Sequence, residues 1–201
     1  MAYTKFLHLL VLFMFLSTVS QADMVLNKSI LYFEKGSPNQ QDVEIENVGT
    51  DPLYIKVTPH LVRDPGTDKQ VREAYDDPTK AGLLVSPNKL VIKPGSRKLV
   101  RFVNLNKSSN KENVYRVSIT PVVGELTGEQ TGVKIIIGYE VLVLVSPDNS
   151  QPELTHTRNG KTLVVKNNGT RNVLLREGIQ CLPIIWNEKK YGCILSLDWF
   201  I

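Results

Sequence analysis

The sequence has little of what metal sites and disulfide frameworks require. It holds 2 cysteines, Cys181 and Cys193, and 3 histidines among 201 residues. No cluster of histidines accompanies the cysteines, so they make a poor zinc site. In an oxidising compartment, two such cysteines more often form a disulfide. We therefore predict a Cys181–Cys193 bridge and no metal or other cofactor.

The motifs that organise common active sites are also missing. The sequence has no G-x-S-x-G, no H-E-x-x-H, no phosphate-binding loop and no G-x-G-x-x-G. His60 and His156 each stand alone, and a lone histidine is usually an ordinary surface residue. A net charge of +4 is too small to argue for nucleic acid. We predict that the protein is not an enzyme and binds neither nucleic acid nor a small-molecule substrate.

Long apolar runs are absent except near the N-terminus. There, Lys5 precedes an almost unbroken apolar run over residues 6–16, and Ser20-Gln21-Ala22 fits a small-x-small cleavage site. The run is too short to span a bilayer comfortably. We predict that residues 1–22 are a secretory signal peptide cleaved after Ala22, and that the product is exported and released as a soluble protein.

No segment of ten or more residues keeps a helical period of apolar residues. Short alternating segments recur instead, separated by turns, which is typical of an antiparallel β-sandwich. The polar stretch 63–80 is predicted to be a long loop, and residues 148–152 resemble a linker. We predict an N-terminal domain over 23–147 and a second β-domain over 153–201. The latter is short for an independent sandwich and is predicted to be truncated.

The most regular stretch lies between Gly132 and Pro147. Every second residue from Val133 to Val145 is apolar or aromatic, so these side chains share one face of a long strand. Two interpretations remain open. The strand could lie at the centre of the core, or its first half could lie at a sheet edge and offer Val133, Ile135 and Ile137 to a partner.

Residues 83–102 resemble the signature of PapD-like periplasmic pilus chaperones. They contain a Pro, an apolar residue before a Pro-Gly turn, and an Arg on the next strand. Residues 133–147 look like the family's long last strand of the first domain. The turn at 167–169 and the two cysteines look like the second domain, and the details resemble the alternate or archaic type. The resemblance implies an all-β protein with two immunoglobulin-like domains set at an angle.

The resemblance also implies a function. Members of this family bind, fold and cap pilus subunits that lack their last strand, and they deliver them to an outer-membrane usher for assembly. The chaperone lends its own strand, here 133–145, to the subunit's open groove. Carried over by position, the subunit-binding residues are Val133, Ile135, Ile137 and Tyr139. The partners implied are pilins and the usher, and the implied compartment is the periplasm.

Other family positions are matched less completely. Arg101 and Glu112 match positions that form a buried ion pair between the domains, although the family's third, acidic partner has no clear match. In the best-known members a basic pair anchors the subunit's C-terminal carboxylate, and those positions fall near Ile30 and Leu142. Three nearby cations remain as candidate anchors: Lys28, Arg116 and Lys134.

Two alternatives to a working chaperone stay open. The first is an exported structural or adhesive β-sandwich, such as a pilus subunit, and the second is a truncated, non-functional copy of a chaperone. A subunit should carry an alternating donor strand directly after the signal and lack a long strand before a linker. The sequence shows the reverse arrangement, which favours the chaperone.

Overall fold

The structure is a computed structural model that describes residues 23–106, 109–122, 137–160, 162–182 and 192–200. The first unit contains ten strands: β1 (Met24–Leu26), β2 (Ile30–Phe33), β3 (Gln40–Asn47), β4 (Leu53–Arg63), β5 (Val71–Ala74), β6 (Leu83–Ser86), β7 (Lys89–Ile92), β8 (Arg97–Asn104), β9 (Asn113–Pro121) and β10 (Tyr139–Val145). A short helix, α1 (Pro78–Ala81), precedes β6. Four strands follow the linker: β11 (Leu154–Asn159), β12 (Thr162–Asn167), β13 (Leu174–Leu182) and β14 (Gly192–Phe200). The all-β prediction is confirmed.

The first unit is a sandwich of two sheets. One sheet has the strand order β1-β3-β8-β6, and the other has the order β2-β10-β9-β4-β5, with β7 also paired to β4. The first two strands belong to different sheets, because β1 pairs antiparallel with β3 and β2 pairs parallel with β10. This change of sheet places β2 beside only part of β10.

Alternating side chains from the two sheets fill the space between them. The buried residues include Val43, Ile45, Val100 and Phe102 from the first sheet and Tyr115, Val117, Ile119, Val141 and Val143 from the second. Each fully buried side chain of this size contributes about 1.5–3 kcal/mol relative to exposure. The second half of the predicted long strand therefore belongs to the core.

The predicted loop over residues 63–80 contains two regular elements. Strand β5 extends the sheet beside the end of β4, and all four of its residues are exposed. Helix α1 begins after Asp77, whose Oδ1 accepts a hydrogen bond from the Thr79 N–H at 3.0 Å, and Pro78 lies in its first turn. Neither element has an apolar period, so the pattern of hydrophobic residues does not predict them.

The two units contain the same hydrogen-bonded turn. Asn47 ends β3 and Asn167 ends β12. Each side-chain amide donates to the carbonyl four residues later at 2.8 Å, and each Oδ1 accepts from the glycine N–H two residues later at 2.9–3.0 Å. The residue between the asparagine and the glycine, Val48 or Asn168, donates its N–H to the carbonyl of the residue before the unit's first strand, Asp23 or Glu153. The same hydrogen-bond pattern therefore fixes the start of the first strand in both units.

Two hairpins make up the described part of the second unit. β11 pairs antiparallel with β12, and β13 pairs antiparallel with β14. The register of the second hairpin sets Cys181 directly opposite Cys193. Across the described ranges, no helix has the length and apolar character needed to cross a membrane.

The register of β13 and β14 supports the predicted disulfide. Opposite residues of antiparallel strands have Cα atoms ~4.5–5.5 Å apart, within the range that a disulfide spans. Protein isolated without reductant and then unfolded should show no reactive thiol, and the bridge should add about 2–4 kcal/mol to the free energy of unfolding. Thiol labelling followed by mass spectrometry measures this. Labelling of both cysteines in the unreduced protein would contradict the prediction.

Candidate functional site

Strand β10 is hydrogen-bonded unequally on its two sides. β9 pairs with it from Tyr139 to Val145, whereas β2 pairs with it only from Leu142 to Val145. The Leu142 N–H donates to the Ser29 carbonyl at 2.9 Å, at the point where this second partner begins. Among the described residues, Tyr139–Val141 therefore has a strand partner on one side only, and its other side is an open edge.

The open edge presents backbone groups in a regular row. N–H groups of alternate residues point to the same side of a strand, so that of Glu140 points the same way as that of Leu142. Gly138 still runs close along β9, because a Cβ added there would lie 3.4 Å from the Ile119 carbonyl oxygen. An unpaired row of this kind is a template for another strand.

The predicted donor residues fall on both sides of the start of β10. Val133 and Ile135 lie outside the described residues. Ile137 is described, and 53% of its surface is exposed. Tyr139 is half-buried against the core, and its hydroxyl donates to the Met24 carbonyl at 2.9 Å. Tyr139 therefore packs in part against the protein's own core, and its place in the subunit-binding row stays a prediction.

The outer face of the same sheet carries a row of four residues from four adjacent strands. Ile30, Leu142, Arg116 and His60 lie side by side on β2, β10, β9 and β4. The resemblance to pilus chaperones places the family's basic pair near Ile30 and Leu142. The register thus places a cation, Arg116, next to that pair of positions. His60 Nδ1 is shielded from solvent and has no hydrogen-bond partner in the described structure.

A three-residue ion network lies on this face. Oε1 of Glu140 accepts from Arg72 Nη1 at 2.7 Å, and Oε2 accepts from Arg116 Nη1 at 3.3 Å. The three side chains come from β5, β9 and β10 and are 28–48% exposed. Partly exposed pairs of this kind add only ~0–1 kcal/mol each to stability. Their main effect is to gather two guanidinium groups around one carboxylate.

The three candidate anchors have different surroundings. Arg116 lies in the row described above. Lys28 is half-buried in the segment between β1 and β2, and its charge acts on Asp42 of the first sheet. There the Arg101 guanidinium, and more weakly Lys28, hold the pKa of Asp42 below its ordinary value. Lys134 lies outside the described residues. Of the two that are described, Arg116 is the cation on the outer face of β9 and β10.

The predicted ion pair between Arg101 and Glu112 is wrong. Arg101 alternates with the buried residues Val100 and Phe102, so its side chain points outward from the first sheet. It binds both carboxylate oxygens of Asp42, the residue directly opposite on β3, at 2.9 Å. Arg101 is thus an exposed cross-strand partner and takes no part in the junction between the units.

Glu112 does lie at that junction, but it is held by uncharged donors. Its carboxylate accepts from the Ser146 hydroxyl at 2.8 Å and from the Asn172 backbone N–H at 2.9 Å, and its own N–H donates to the Thr170 carbonyl at 2.8 Å. With its side-chain amide in the orientation that satisfies both groups, Asn172 adds donation at 3.0 Å. Glu112 therefore links the end of β10 to the second unit.

Residues 23–151 match the family described as "pili and flagellar-assembly chaperone, PapD N-terminal domain". The chain belongs to this family. The resemblance to PapD-like pilus chaperones is confirmed, and the match covers the whole first unit and most of the linker. The open edge of β10 and the ion network both lie within the matched region.

Curated relatives of this PapD-like chain come from fimbrial systems of Escherichia coli. A protein named as a CS1 fimbrial subunit is 29% identical over 148 residues, covering 69% of this chain and 61% of the relative. Another, named as a CFA/I fimbrial subunit, is 28% identical over 140 residues, covering 65% of this chain and 58% of the relative. The chain spans about three-fifths of the length of these relatives.

Solved structures of pilus chaperones share the fold. The class 5 fimbriae chaperone CfaA has a TM-score of 0.66 at 23% identity, with 89% of this chain and 81% of that chain covered. The complex of the chaperone CsuC with the tip adhesion subunit CsuE, from Acinetobacter baumannii, has a TM-score of 0.57 at 17% identity, with 90% and 88% covered. At these identities the likeness concerns the fold alone.

Sequence reasoning misses several residues of the site in this PapD-like chain. Arg72 lies in a polar stretch whose pattern predicts a loop, and nothing in that pattern connects it to Glu140, 68 residues later. Ser146 and Asn172 are missed as partners of Glu112 because hydroxyl and amide donors carry no charge pattern. A usable signal does exist for Arg116 and Glu140, since both occupy outward positions of alternating strands.

The two corrected residues make a matched pair for testing the junction. Glu112→Ala removes a carboxylate that accepts from Ser146 in the first unit and from Asn172 in the second, and hydrogen bonds to charged groups contribute ~1.5–3 kcal/mol each. We expect a lower unfolding temperature and faster proteolysis within the linker at residues 148–152. Arg101→Ala should change neither result appreciably. Among the described residues Arg101 bonds only to Asp42, and that ion pair is exposed. Equal effects of the two substitutions would contradict this assignment.

Proposed function

We propose that this PapD-like protein acts in the periplasm as a chaperone that binds a fimbrial subunit, supports its folding and caps it until assembly. Membership of the pilus-chaperone family supports this. The curated relatives are named for fimbrial systems, and one structurally similar complex joins a chaperone to a tip adhesion subunit. The predicted signal peptide over residues 1–22 would bring the protein to that compartment.

The observation that carries the proposal is the open edge of β10. Its N–H and C=O groups have no partner among the described residues, and they follow the alternating apolar segment 133–137 in the sequence. A partner strand could pair with this edge, and main-chain hydrogen bonds would give affinity. The alternating side chains Val133, Ile135 and Ile137 would then enter pockets of the partner and give specificity. The chaperone would thus lend the strand that the subunit lacks.

The same arrangement accounts for a capping role. An apolar groove with unpaired strand edges is prone to aggregation. A lent strand satisfies the groove's backbone groups and covers its apolar side chains in one step. Release would then require another strand to take its place, and we propose by family resemblance that an outer-membrane usher is the site of that exchange.

We further propose Arg116 as the anchor for the subunit's C-terminal carboxylate. It lies on the outer face of β9, directly opposite Leu142, near which the family resemblance places a basic residue of the best-known members. Its side chain is 36% exposed, so a partner can reach it. A guanidinium group binds carboxylates well because its donors form a planar fork. Lys134 remains a second candidate on sequence grounds.

One observation favours the alternative that the protein is itself a fimbrial subunit, namely that both curated relatives are named as subunits. A subunit should present an alternating donor strand directly after the signal. Here β1 follows instead, a strand of 3 residues that is already paired with β3. A non-functional copy would fold without capturing any subunit, so the assay below separates it from a working chaperone.

Substituting Ile135 tests strand donation. Ile135→Asp places a charge in the partner's apolar groove, and burying an unpaired charge is costly enough to prevent capture. We expect little or no co-purification of a co-expressed fimbrial subunit with the tagged variant. Ile136→Asp makes the same substitution at the neighbouring position, on the opposite face of the strand, and should retain most of the capture. A one-residue deletion at Lys134 should be as damaging as Ile135→Asp, because it reverses the faces of the preceding residues.

Circular dichroism of each purified variant must first show the β-rich spectrum of the unmodified protein. Equal recovery of the subunit with Ile135→Asp and with the unmodified protein would refute strand donation. Failure of the unmodified protein to retain any fimbrial subunit would refute the chaperone function as a whole.

A further inference from the structure

Two arginines from distant parts of the chain converge on one glutamate beside the open edge of β10. Arg72 lies on β5, at the edge of the sheet, and Arg116 lies on β9, yet both bind Glu140. Two guanidinium charges and one carboxylate charge leave the cluster with a net charge of +1. In the described structure, Glu140 is the only carboxylate bonded to either arginine. One of the cluster's two positive charges is therefore not balanced by a carboxylate of the described structure.

The two bonds to Glu140 are unequal. The Arg72 contact, at 2.7 Å, has the length of a strong charge-assisted hydrogen bond, whereas the Arg116 contact, at 3.3 Å, is longer than such bonds usually are. Each arginine uses a single N–H donor in these contacts. Arg116 is therefore the more loosely held group, and most of its donor fork is open to another acceptor.

We propose that Glu140 is an internal stand-in for the carboxylate of a bound partner. It occupies Arg116 while the site is empty. When a partner binds, its carboxylate takes Arg116, and Glu140 stays with Arg72. Arg72 thus acts as a positioning residue that draws Glu140 aside. This inference rests on the proposed function only in naming the partner as a fimbrial subunit, whose carboxylate could be its chain terminus or an acidic side chain.

The location of Glu140 gives this exchange a consequence. Its backbone N–H points to the open edge of β10, while its side chain lies on the outer face with Arg116. A partner that adds a strand at the edge and places a carboxylate on the outer face would engage both parts of one residue. Strand pairing and carboxylate binding would therefore be coupled. If the added strand had no suitably placed carboxylate, Glu140 would remain bound to Arg116.

Acetate provides a test that needs no subunit. In an NMR titration at constant ionic strength, the Arg116 side-chain Nε–H signal should shift saturably with acetate and should not shift with acetamide. Glu140→Gln keeps the shape of the side chain and removes the competing charge, so acetate should bind about two- to fivefold more tightly. Arg72→Gln should weaken acetate binding, because Glu140 then has only Arg116 as a partner. Arg116→Gln should abolish the response.

Two controls separate this role from general electrostatics. Glu73→Gln removes a charge from another exposed arginine–glutamate pair, that of Arg63, and should leave acetate binding unchanged. The double substitution Arg72→Gln with Glu140→Gln should bind acetate more tightly than Arg72→Gln alone, because Glu140 is then no longer free to compete. The proposal is overturned if Glu140→Gln fails to tighten acetate binding, or if Glu73→Gln tightens it equally.

The source of the carboxylate is distinguished with a co-expressed subunit. Extending the subunit's C-terminus by two glycines moves the terminal carboxylate but leaves acidic side chains in place. If the extension weakens capture by the unmodified protein but has no effect with Arg116→Gln, the chain terminus is the source. If capture by the unmodified protein is unaffected while Arg116→Gln still weakens it, an acidic side chain is the source. A failure of strand donation would be detected separately, by the Ile135→Asp assay.

Discussion

The backbone of β10 is fully hydrogen-bonded on the side of β9 and only half covered on the side of β2, and the proposed activity depends on this inequality. It arises because the first part of the chain divides itself between the two sheets. β2 reaches β10 only at Leu142, so in the part of the chain that the structure describes Tyr139–Val141 has one strand partner. Proteins usually blunt or cover such edges, and an edge kept open is suited to pairing with another chain.

Within the described residues, the first unit buries no ion pair at its junction with the second. Glu112 connects β10 to the second unit through hydroxyl, amide and backbone donors. The arginines instead lie on outer faces, where Arg101 pairs with Asp42 and Arg116 shares Glu140 with Arg72. An exposed guanidinium costs little to keep and can exchange partners, whereas a buried one would be fixed in place.

The period of the apolar residues is sufficient to predict the sandwich, because alternation reflects burial directly. It places Val141 and Val143 on one face of the strand, and the structure buries both. Strand register is not contained in that pattern. Tyr139 shares the alternation of Ile137, yet only the packing around Met24 shows where the core begins. The pairing of Arg101 with Glu112 fails for a different reason, because it is carried over by family position although the alternation with Val100 and Phe102 already places Arg101 on the outward face.

Amide hydrogen exchange at the start of β10 tests the central claim most directly. The N–H group of Glu140 points to the open edge, while those of Tyr139 and Val141 point to β9. In a complex saturated with a co-purified fimbrial subunit, strand donation predicts that exchange slows strongly at Glu140 and changes little at Tyr139 and Val141. Unchanged exchange at Glu140 in a saturated complex would contradict the account, because no strand would then have been added to the edge.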